Sequence, residues 1–283
     1  MKPLVASVIL VGVLASCGGL EEPNNTGGTG LPSGAISIVA NADLAVGRSR
    51  LLVAVAESDG ARLGSPDQKV AIEVAPAEQP ELRQRTEGIF TWIIEDAFGL
   101  YRAEFDFDRP GAWNVTVVPQ SGRPLTPSMI LVGEDTSAPN VGDPAPAVAT
   151  PTVGESALDE ITTDPEPDPR FYQMSLDDAV KSGGTTVLVF STPGFCRTAT
   201  CGPMLEQTKV VARGYPDVNF VHAEIYVGFN KPDFVPDSEH LAPSVTAWGL
   251  PSEPWVFVVD GRGVITHRFE GVMDPTELVS ALG

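Results

Sequence analysis

Two of the three cysteines, Cys196 and Cys201, lie five positions apart and are the residues best suited to chemistry. A thiolate can attack a disulfide, and a second cysteine within reach can then resolve the mixed disulfide. Residues five apart in a regular helix have Cα atoms about 8.5 Å apart, beyond the roughly 7 Å that a disulfide can bridge. A bonded pair therefore requires that Cys196 lies in the loop before a helix or that the first helical turn unwinds on oxidation.

The third cysteine, Cys17, ends an apolar run that follows Lys2. The run is too short to cross a bilayer, which favours a cleaved signal over a transmembrane helix. Residues 14–17 read LASC and resemble the lipobox of bacterial lipoproteins, in which the cysteine is lipidated and becomes the mature N-terminus. The resemblance implies a signal peptide over 1–17 and a lipid-anchored, extracytoplasmic protein of the cell envelope. The two remaining cysteines are then expected to form a disulfide at some stage.

The charge balance limits the partners that this chain can have. Acidic residues number 37 against 18 Lys and Arg, which gives a net charge of −19. Such a surface repels phosphate backbones, so we expect no nucleic-acid partner. It also opposes broad adhesion to anionic lipid, so we assign membrane contact to the lipid on Cys17.

The length of 283 residues predicts two domains of ordinary size. Residues 18–34 are rich in Gly, Asn, Pro and Thr and read as a flexible tether. Residues 35–133 contain short apolar or alternating runs between turn signals, and this pattern predicts an all-β, immunoglobulin-like sandwich. The candidate strands are 36–40, 51–57, 70–74, 90–94, 100–107, 113–118 and 129–132.

Two short motifs in this first domain resemble YtkA-like envelope sandwiches, namely a G-x-Y at 99–101 and a P-G-x-W at 110–113. Some relatives of those proteins bind copper through His and Met. This domain has Met129 as its single methionine and no histidine, so we predict no metal there. We expect a scaffolding or docking role.

Residues 134–170 are dense in Pro and acidic residues, and we predict a linker that includes the start of the next domain. Residues 141–146, VGDPAP, resemble the opening of the peroxiredoxin and redoxin branch of thioredoxin-like proteins. Over 171–283 the pattern changes to alternating helices and strands, with parallel pairing expected in the first half. The predicted elements are a helix after Ser175, a strand at 185–190, a helix at 205–212, a strand at 219–227, a helix end at 245–250, a hairpin at 255–260 and 264–269, and a helix at 276–282.

Three stretches of this second domain resemble the thioredoxin-like superfamily. They are the strand, loop and cysteine at 187–196, the segment 248–260 with Pro254 at the cis-proline position, and the turn at 260–263. The resemblance implies an α/β thioredoxin-like fold. Two alignments remain open: Cys196 matches the nucleophile, or residues 201–204 (CGPM) match C-G-P-C with Met204 in place of the resolving cysteine.

The resemblance also implies the site residues. We predict Cys196 and Cys201 as catalytic cysteines with Pro254 beside them. We place Trp255, Phe195 and Pro203 in a substrate groove. A helix N-terminus stabilises a thiolate, which suits either alignment. We expect no metal, no cofactor and no counterpart of the aspartate that lies buried under the disulfide in cytoplasmic thioredoxins.

These features predict a membrane-tethered thiol–disulfide oxidoreductase that acts on thiols and disulfides of envelope proteins and exchanges electrons with an unidentified redox partner. One alternative is a non-catalytic binding lipoprotein in which Cys196–Cys201 is a structural staple. A second is a thiol peroxidase, because 192–201 resembles the T-P-G-C-x₄-C of bacterioferritin-comigratory peroxiredoxins with one inserted residue. That insertion breaks the T-x-x-C spacing, so we rank peroxidase below disulfide exchange.

Overall fold

The computed structural model describes residues 30–283, so the predicted signal peptide, Cys17 and most of the predicted tether lie outside the described residues. Within 30–283 the chain forms twelve β-strands and five α-helices, and the strands form two sheets. No helix in this range is long and apolar enough to span a bilayer.

The first sheet contains all of the strands predicted for residues 35–133 and one short strand more. Its strands are β1 (Ile36–Val39), β2 (Gly47–Ala56), β3 (Arg62–Leu63), β4 (Val70–Pro76), β5 (Gln84–Ile94), β6 (Phe98–Phe107), β7 (Gly111–Pro119) and β8 (Ser128–Val132). They are hydrogen-bonded in the order β1-β2-β6-β5-β4-β7-β8, with β3 on β2. Ser128 Oγ donates to the carbonyl of Ser37 at 2.6 Å, so the two ends of this order meet. The immunoglobulin-like sandwich is not confirmed, because the strands form one rolled, nearly barrel-like sheet.

Side-chain alternation explains why these segments form half-buried strands. In β6 the odd-numbered residues 101–107 are buried, whereas the even-numbered residues between them are at least partly exposed. Tyr101 and Phe107 enter the core inside the rolled sheet, and Phe107 meets Trp113 edge to face at 5.0 Å. Met129 points outward from β8 and is 73% exposed.

The second sheet agrees with the element order predicted for the C-terminal part. Its strands run in the order β10-β9-β11-β12, with β9 and β10 parallel and the other pairs antiparallel. Its strands and the helices of this part are α1 (Leu158–Ile161), α2 (Leu176–Lys181), β9 (Thr186–Ser191), α3 (Cys201–Ala212), β10 (Asn219–Glu224), α4 (Pro243–Ala247), β11 (Trp255–Val259), β12 (Ile265–Glu270) and α5 (Pro275–Leu282).

The two central strands of this sheet, β9 and β11, are buried along their whole length. Val187 and Val189 of β9 pack on one side, with α3 and α5, whereas Leu188 and Phe190 pack on the other side, with α2 and α4. Strands covered on both faces are expected to be continuously apolar. The sequence of β9 meets this requirement. The connection from β9 to α3, which carries Cys196 and is here named the cysteine loop, leaves the sheet at the end of this strand.

The predicted linker, residues 134–170, is attached to the second sheet along much of its length. Gly142 donates its amide to the carbonyl of Ile265 at 2.8 Å, and Pro144 forms a bridge with Val264. Ion pairs also join the first sheet to the second part of the chain. Arg50 pairs with Glu277 of α5 at 2.8 Å, and Asp43 pairs with Arg268 of β12 at 2.9 Å.

Candidate functional site

Cys196 and Cys201 form a disulfide, with their Cα atoms 5.9 Å apart. Cys201 is the first residue of α3, and Cys196 lies in the loop between β9 and α3. This confirms the first of the two geometries required by the five-residue spacing. Within the intervening loop, Ala199 has a φ of 58°. A non-glycine residue in this left-handed region is uncommon and shows that the chain departs from helical geometry between the two cysteines.

The two sulfur atoms lie in different environments. Cys201 is fully buried, whereas Cys196 is half-buried. The amide of Cys201, at the N-terminus of α3, lies 3.2 Å from Cys196 Sγ and donates to it. The Thr198 hydroxyl lies 3.4 Å from the same sulfur and also contacts the Thr200 hydroxyl at 2.6 Å. Helix N-terminal amides and hydroxyl donors favour a thiolate, so these contacts would stabilise the Cys196 sulfur as an anion once the disulfide is reduced.

Pro254 lies at the same edge of the sheet as the cysteine loop. The peptide bond between Glu253 and Pro254 is cis, as the resemblance predicts. Residue 255 begins β11 and pairs with Phe190 near the end of β9, so Pro254 lies beside the point where the chain leaves β9 for Cys196. The carbonyl of Pro254 accepts the amide of Gly271 at 2.8 Å.

The three residues predicted to line the substrate groove differ in how deeply they are buried. Phe195 is half-buried directly before Cys196, and Pro203 is half-buried in the first turn of α3. Trp255 is fully buried, stacks on Phe257 at 5.5 Å and carries the guanidinium of Arg268 at 4.8 Å from its ring centroid. The prediction that Trp255 lines a groove is therefore wrong, because β11 is covered on both faces.

Sequence reasoning missed an aromatic cluster beside the cysteine loop. Phe195 lies 4.8 Å from Phe234 and 6.3 Å from Tyr226, measured between ring centroids, and Phe234 lies 5.2 Å from His240. Phe234 and His240 belong to the long connection between β10 and α4, which carries no apolar periodicity that would have predicted this contact. The connection forms one wall of the site.

Sequence reasoning also missed the carboxylates of the site. Glu224, at the end of β10, is 7% exposed, and burial raises its pKa although backbone and hydroxyl donors partly oppose this. Burial also raises the pKa of Glu253, and the positive charge of Arg197 opposes that shift. The Glu224 carboxylate accepts hydrogen bonds from the amide and the hydroxyl of Thr163, both at 2.8 Å, and so lies one residue removed from the loop that carries Cys196. The expectation of no counterpart to the thioredoxin aspartate under the disulfide stays a prediction.

The three histidines do not form a metal site. His222 is fully buried in β10, and His240 is hydrogen-bonded to Asp237 at 2.8 Å. Within residues 30–283, no group of three or more His, Cys, Asp or Glu side chains is placed to hold a metal ion.

No protein-family model matches the chain, and no curated protein sequence matches it. Among solved structures, a putative thiol:disulfide interchange protein DsbE from Chlorobium tepidum is 17% identical to it, with a TM-score of 0.34. That match covers 51% of this chain and 99% of the other. The Lin-41 filamin domain is 14% identical, with a TM-score of 0.24, and covers 36% of this chain and 99% of its own.

Proposed function

We propose that this chain is an extracytoplasmic thiol–disulfide oxidoreductase, held at a membrane by lipid on Cys17, that acts on thiols and disulfides of envelope proteins. The asymmetry of the cysteine pair carries the proposal. Cys196 is half-buried and accepts the first amide of α3, whereas Cys201 is fully buried behind it. An attacking thiolate needs both access and stabilisation, and a resolving thiol needs only proximity.

The exchange proceeds in two balanced steps. In the reducing direction, the Cys196 thiolate attacks one sulfur of a substrate disulfide, so that a mixed disulfide forms and one substrate thiolate leaves. The Cys201 thiolate then attacks Cys196 Sγ, forms the intramolecular disulfide and releases the second substrate thiolate. Two electrons pass to the substrate, and a dithiol partner returns the pair to its reduced form. The oxidising direction is the reverse of these steps.

A thioredoxin-like assignment of residues 171–283 is part of the proposal. It is supported by the order of α2, β9, α3, β10, α4, β11, β12 and α5, by the cysteine loop between β9 and α3, and by cis Pro254 directly before β11. In open α/β sheets, sites lie beyond the carboxyl ends of parallel strands, and here the cysteine loop follows the carboxyl end of β9.

We assign the domain at 35–133, which its sequence motifs liken to YtkA-like immunoglobulin sandwiches, the role of a scaffold. Two ion pairs to the second part of the chain, Arg50–Glu277 and Asp43–Arg268, support this role. Every side chain in these pairs is mostly buried. A firmly attached scaffold would hold the cysteine loop at a fixed orientation relative to the first sheet.

The test uses the full chain with Cys17→Ala, so that only Cys196 and Cys201 react. We expect Cys201→Ser to accumulate a mixed disulfide with a disulfide-bonded model protein, and Cys196→Ser to accumulate none, as seen by non-reducing electrophoresis. The equilibrium with glutathione should give a reduction potential above about −300 mV. A potential well below that value, or no mixed disulfide with either variant, identifies a structural staple. Equal trapping by the two variants contradicts the asymmetry on which the proposal rests. Peroxide consumption with a sulfenic acid at Cys196 identifies a peroxidase instead.

A further inference from the structure

Residues 162–166, here named the clamp segment, lie between α1 and α2 and contact both elements that carry the cysteines. The sequence predicts this stretch as part of an acidic, Pro-rich linker. In the structure, Thr162 and Asp164 are 5% and 7% exposed. Polar side chains this deeply buried require hydrogen-bond or charged partners.

On the Cys196 side, the partner is the loop itself. The amide of Gly194 donates to Thr163 Oγ1 at 2.9 Å, and that hydroxyl donates to Glu224 Oε2 at 2.8 Å. The amide of Thr163 donates to the same carboxylate oxygen at 2.8 Å. A Cβ at position 194 would lie 2.9 Å from the Cβ of Thr163, so the approach of the segment to the loop requires glycine there. Glu224 thereby holds Thr163, and Thr163 holds the loop two residues before Cys196.

On the Cys201 side, the partner is Lys209 of α3, two turns after the cysteine that begins this helix. Lys209 Nζ pairs with Asp164 at 2.5 Å, donates to the carbonyl of Glu166 at 2.8 Å and contacts Glu206 of its own helix at 2.6 Å. The side chains of Lys209 and Asp164 are 6% and 2% exposed. A buried pair of this kind is strongly destabilised when one partner is removed, so it fixes the position of α3 on the clamp segment.

We propose that the clamp segment holds the Cys196 loop and α3 at disulfide distance when the pair is reduced. The residues between the cysteines do not tie the loop to the rest of the fold, since Arg197, Thr198 and Ala199 are exposed and the Thr198 hydroxyl contacts only Cys196 and Thr200 among the described hydrogen bonds. A preorganised thiol reaches its partner at a higher effective concentration than one on a free loop. Thr163 and Lys209 are thus positioning residues that favour the disulfide and lower the reduction potential of the pair.

The clamp deepens the proposed function, and its biological role rests on that function. The quantity measured in its test is the equilibrium constant for disulfide formation between Cys196 and Cys201. In the Cys17→Ala full chain, we compare Thr163→Val, which removes the hydroxyl, with Thr163→Ser, which keeps it. The matched control is Thr208→Val, because Thr208 is a buried neighbour of Lys209 whose hydroxyl bonds to Met204 O at 2.9 Å, within α3 only. A further variant combines Lys209→Met with Asp164→Asn, so that no buried charge loses its partner.

We expect Thr163→Val and the double variant each to weaken disulfide formation about tenfold, which raises the potential by about 30 mV. Thr163→Ser and Thr208→Val should stay within about twofold of the parent. Equal constants for all variants, or the same loss in Thr208→Val, would overturn the clamp. The redox titration is continued from glutathione into dithiothreitol buffers. The ratio of each variant's equilibrium constant to that of the parent can then be measured whatever the reduction potential of the pair. A parent value well below about −300 mV with intact ratios rejects the exchange activity and leaves the clamp standing.

Discussion

His222 should make the stability of this protein depend on pH. The ring is fully buried under the site, and burial lowers its pKa from 6.5 to about 4. Its Nε2 lies 3.1 Å from the carbonyl of Ser191, so we assign the hydrogen to that nitrogen. Its Nδ1 then accepts the Tyr172 hydroxyl at 2.8 Å. Protonation of Nδ1 would place a charge in the core and would prevent Nδ1 from accepting the hydrogen bond of the Tyr172 hydroxyl.

The sign and size follow from proton binding in the two states. Above pH 6.5 His222 is neutral in both the folded and the unfolded chain, so it contributes no pH dependence. Between pH 6.5 and about 4 the unfolded chain binds more protons at this residue, so the free energy of unfolding falls as pH falls. One pKa unit corresponds to about 1.4 kcal/mol, so the full loss in the free energy of unfolding is about 3 kcal/mol. Glu224 acts in the opposite sense, because its raised pKa adds stability as pH falls.

Urea unfolding of the full chain between pH 7.5 and 4.5 measures this dependence, and the contribution of His222 is the difference from His222→Gln. Glu224 is present in both proteins, so its effect largely cancels. His240→Gln is the control, because that histidine is partly exposed and bonds only to Asp237 among the described contacts of its imidazole nitrogens. NMR titration of the histidine rings tests the same point without unfolding. An imidazole of His222 that titrates near pH 6.5, or equal pH slopes in parent and His222→Gln, refutes the reasoning.

Three further substitutions test packing away from the cysteine pair, each by the free energy of unfolding in urea. Asp43→Asn should cost about 3 kcal/mol, because it leaves the mostly buried Arg268 without its charged partner; no loss would show that this pair does not join the two parts. Asp274→Ala should cost about 1 kcal/mol, because its side chain caps α5; Thr276→Ser is its control. Gly99→Ala should cost about 2 kcal/mol, because a Cβ there overlaps the carbonyl of Thr91; an unchanged value would contradict that contact.

Local pattern was sufficient to predict most elements of the fold. The alternation in 100–107 predicted β6, and the apolar run after Thr185 predicted β9, because burial on one or two faces leaves a direct mark on the sequence. The two-residue strand β3 leaves no such mark. How the strands close also escaped prediction, because the meeting of Ser37 with Ser128 depends on the twist of the whole sheet.

The site was predictable where chain geometry alone decides it. The spacing of Cys196 and Cys201 placed Cys196 in a loop or an unwound turn, and the structure selects the loop. Glu224 and Thr163 were not predictable, since each is polar and their burial depends on contact between segments 61 residues apart in the chain. Composition alone indicated a linker at 162–166, since Lys209, the partner that pairs with the buried Asp164, lies in another element.

The clamp segment also bears on the choice between a catalytic and a structural disulfide. A bond that closes so short a loop stabilises a protein by about 2 kcal/mol in the chain-entropy account. The loop and α3 are already joined through Thr163 and through the buried Asp164–Lys209 pair. In the proposed clamp, the disulfide is largely redundant as a staple, and its reduction leaves both elements in place. A pair that opens without loss of the surrounding structure can cycle between its two states. A substrate thiolate that attacks the more accessible Cys196 sulfur breaks the bond and releases the Cys201 thiolate.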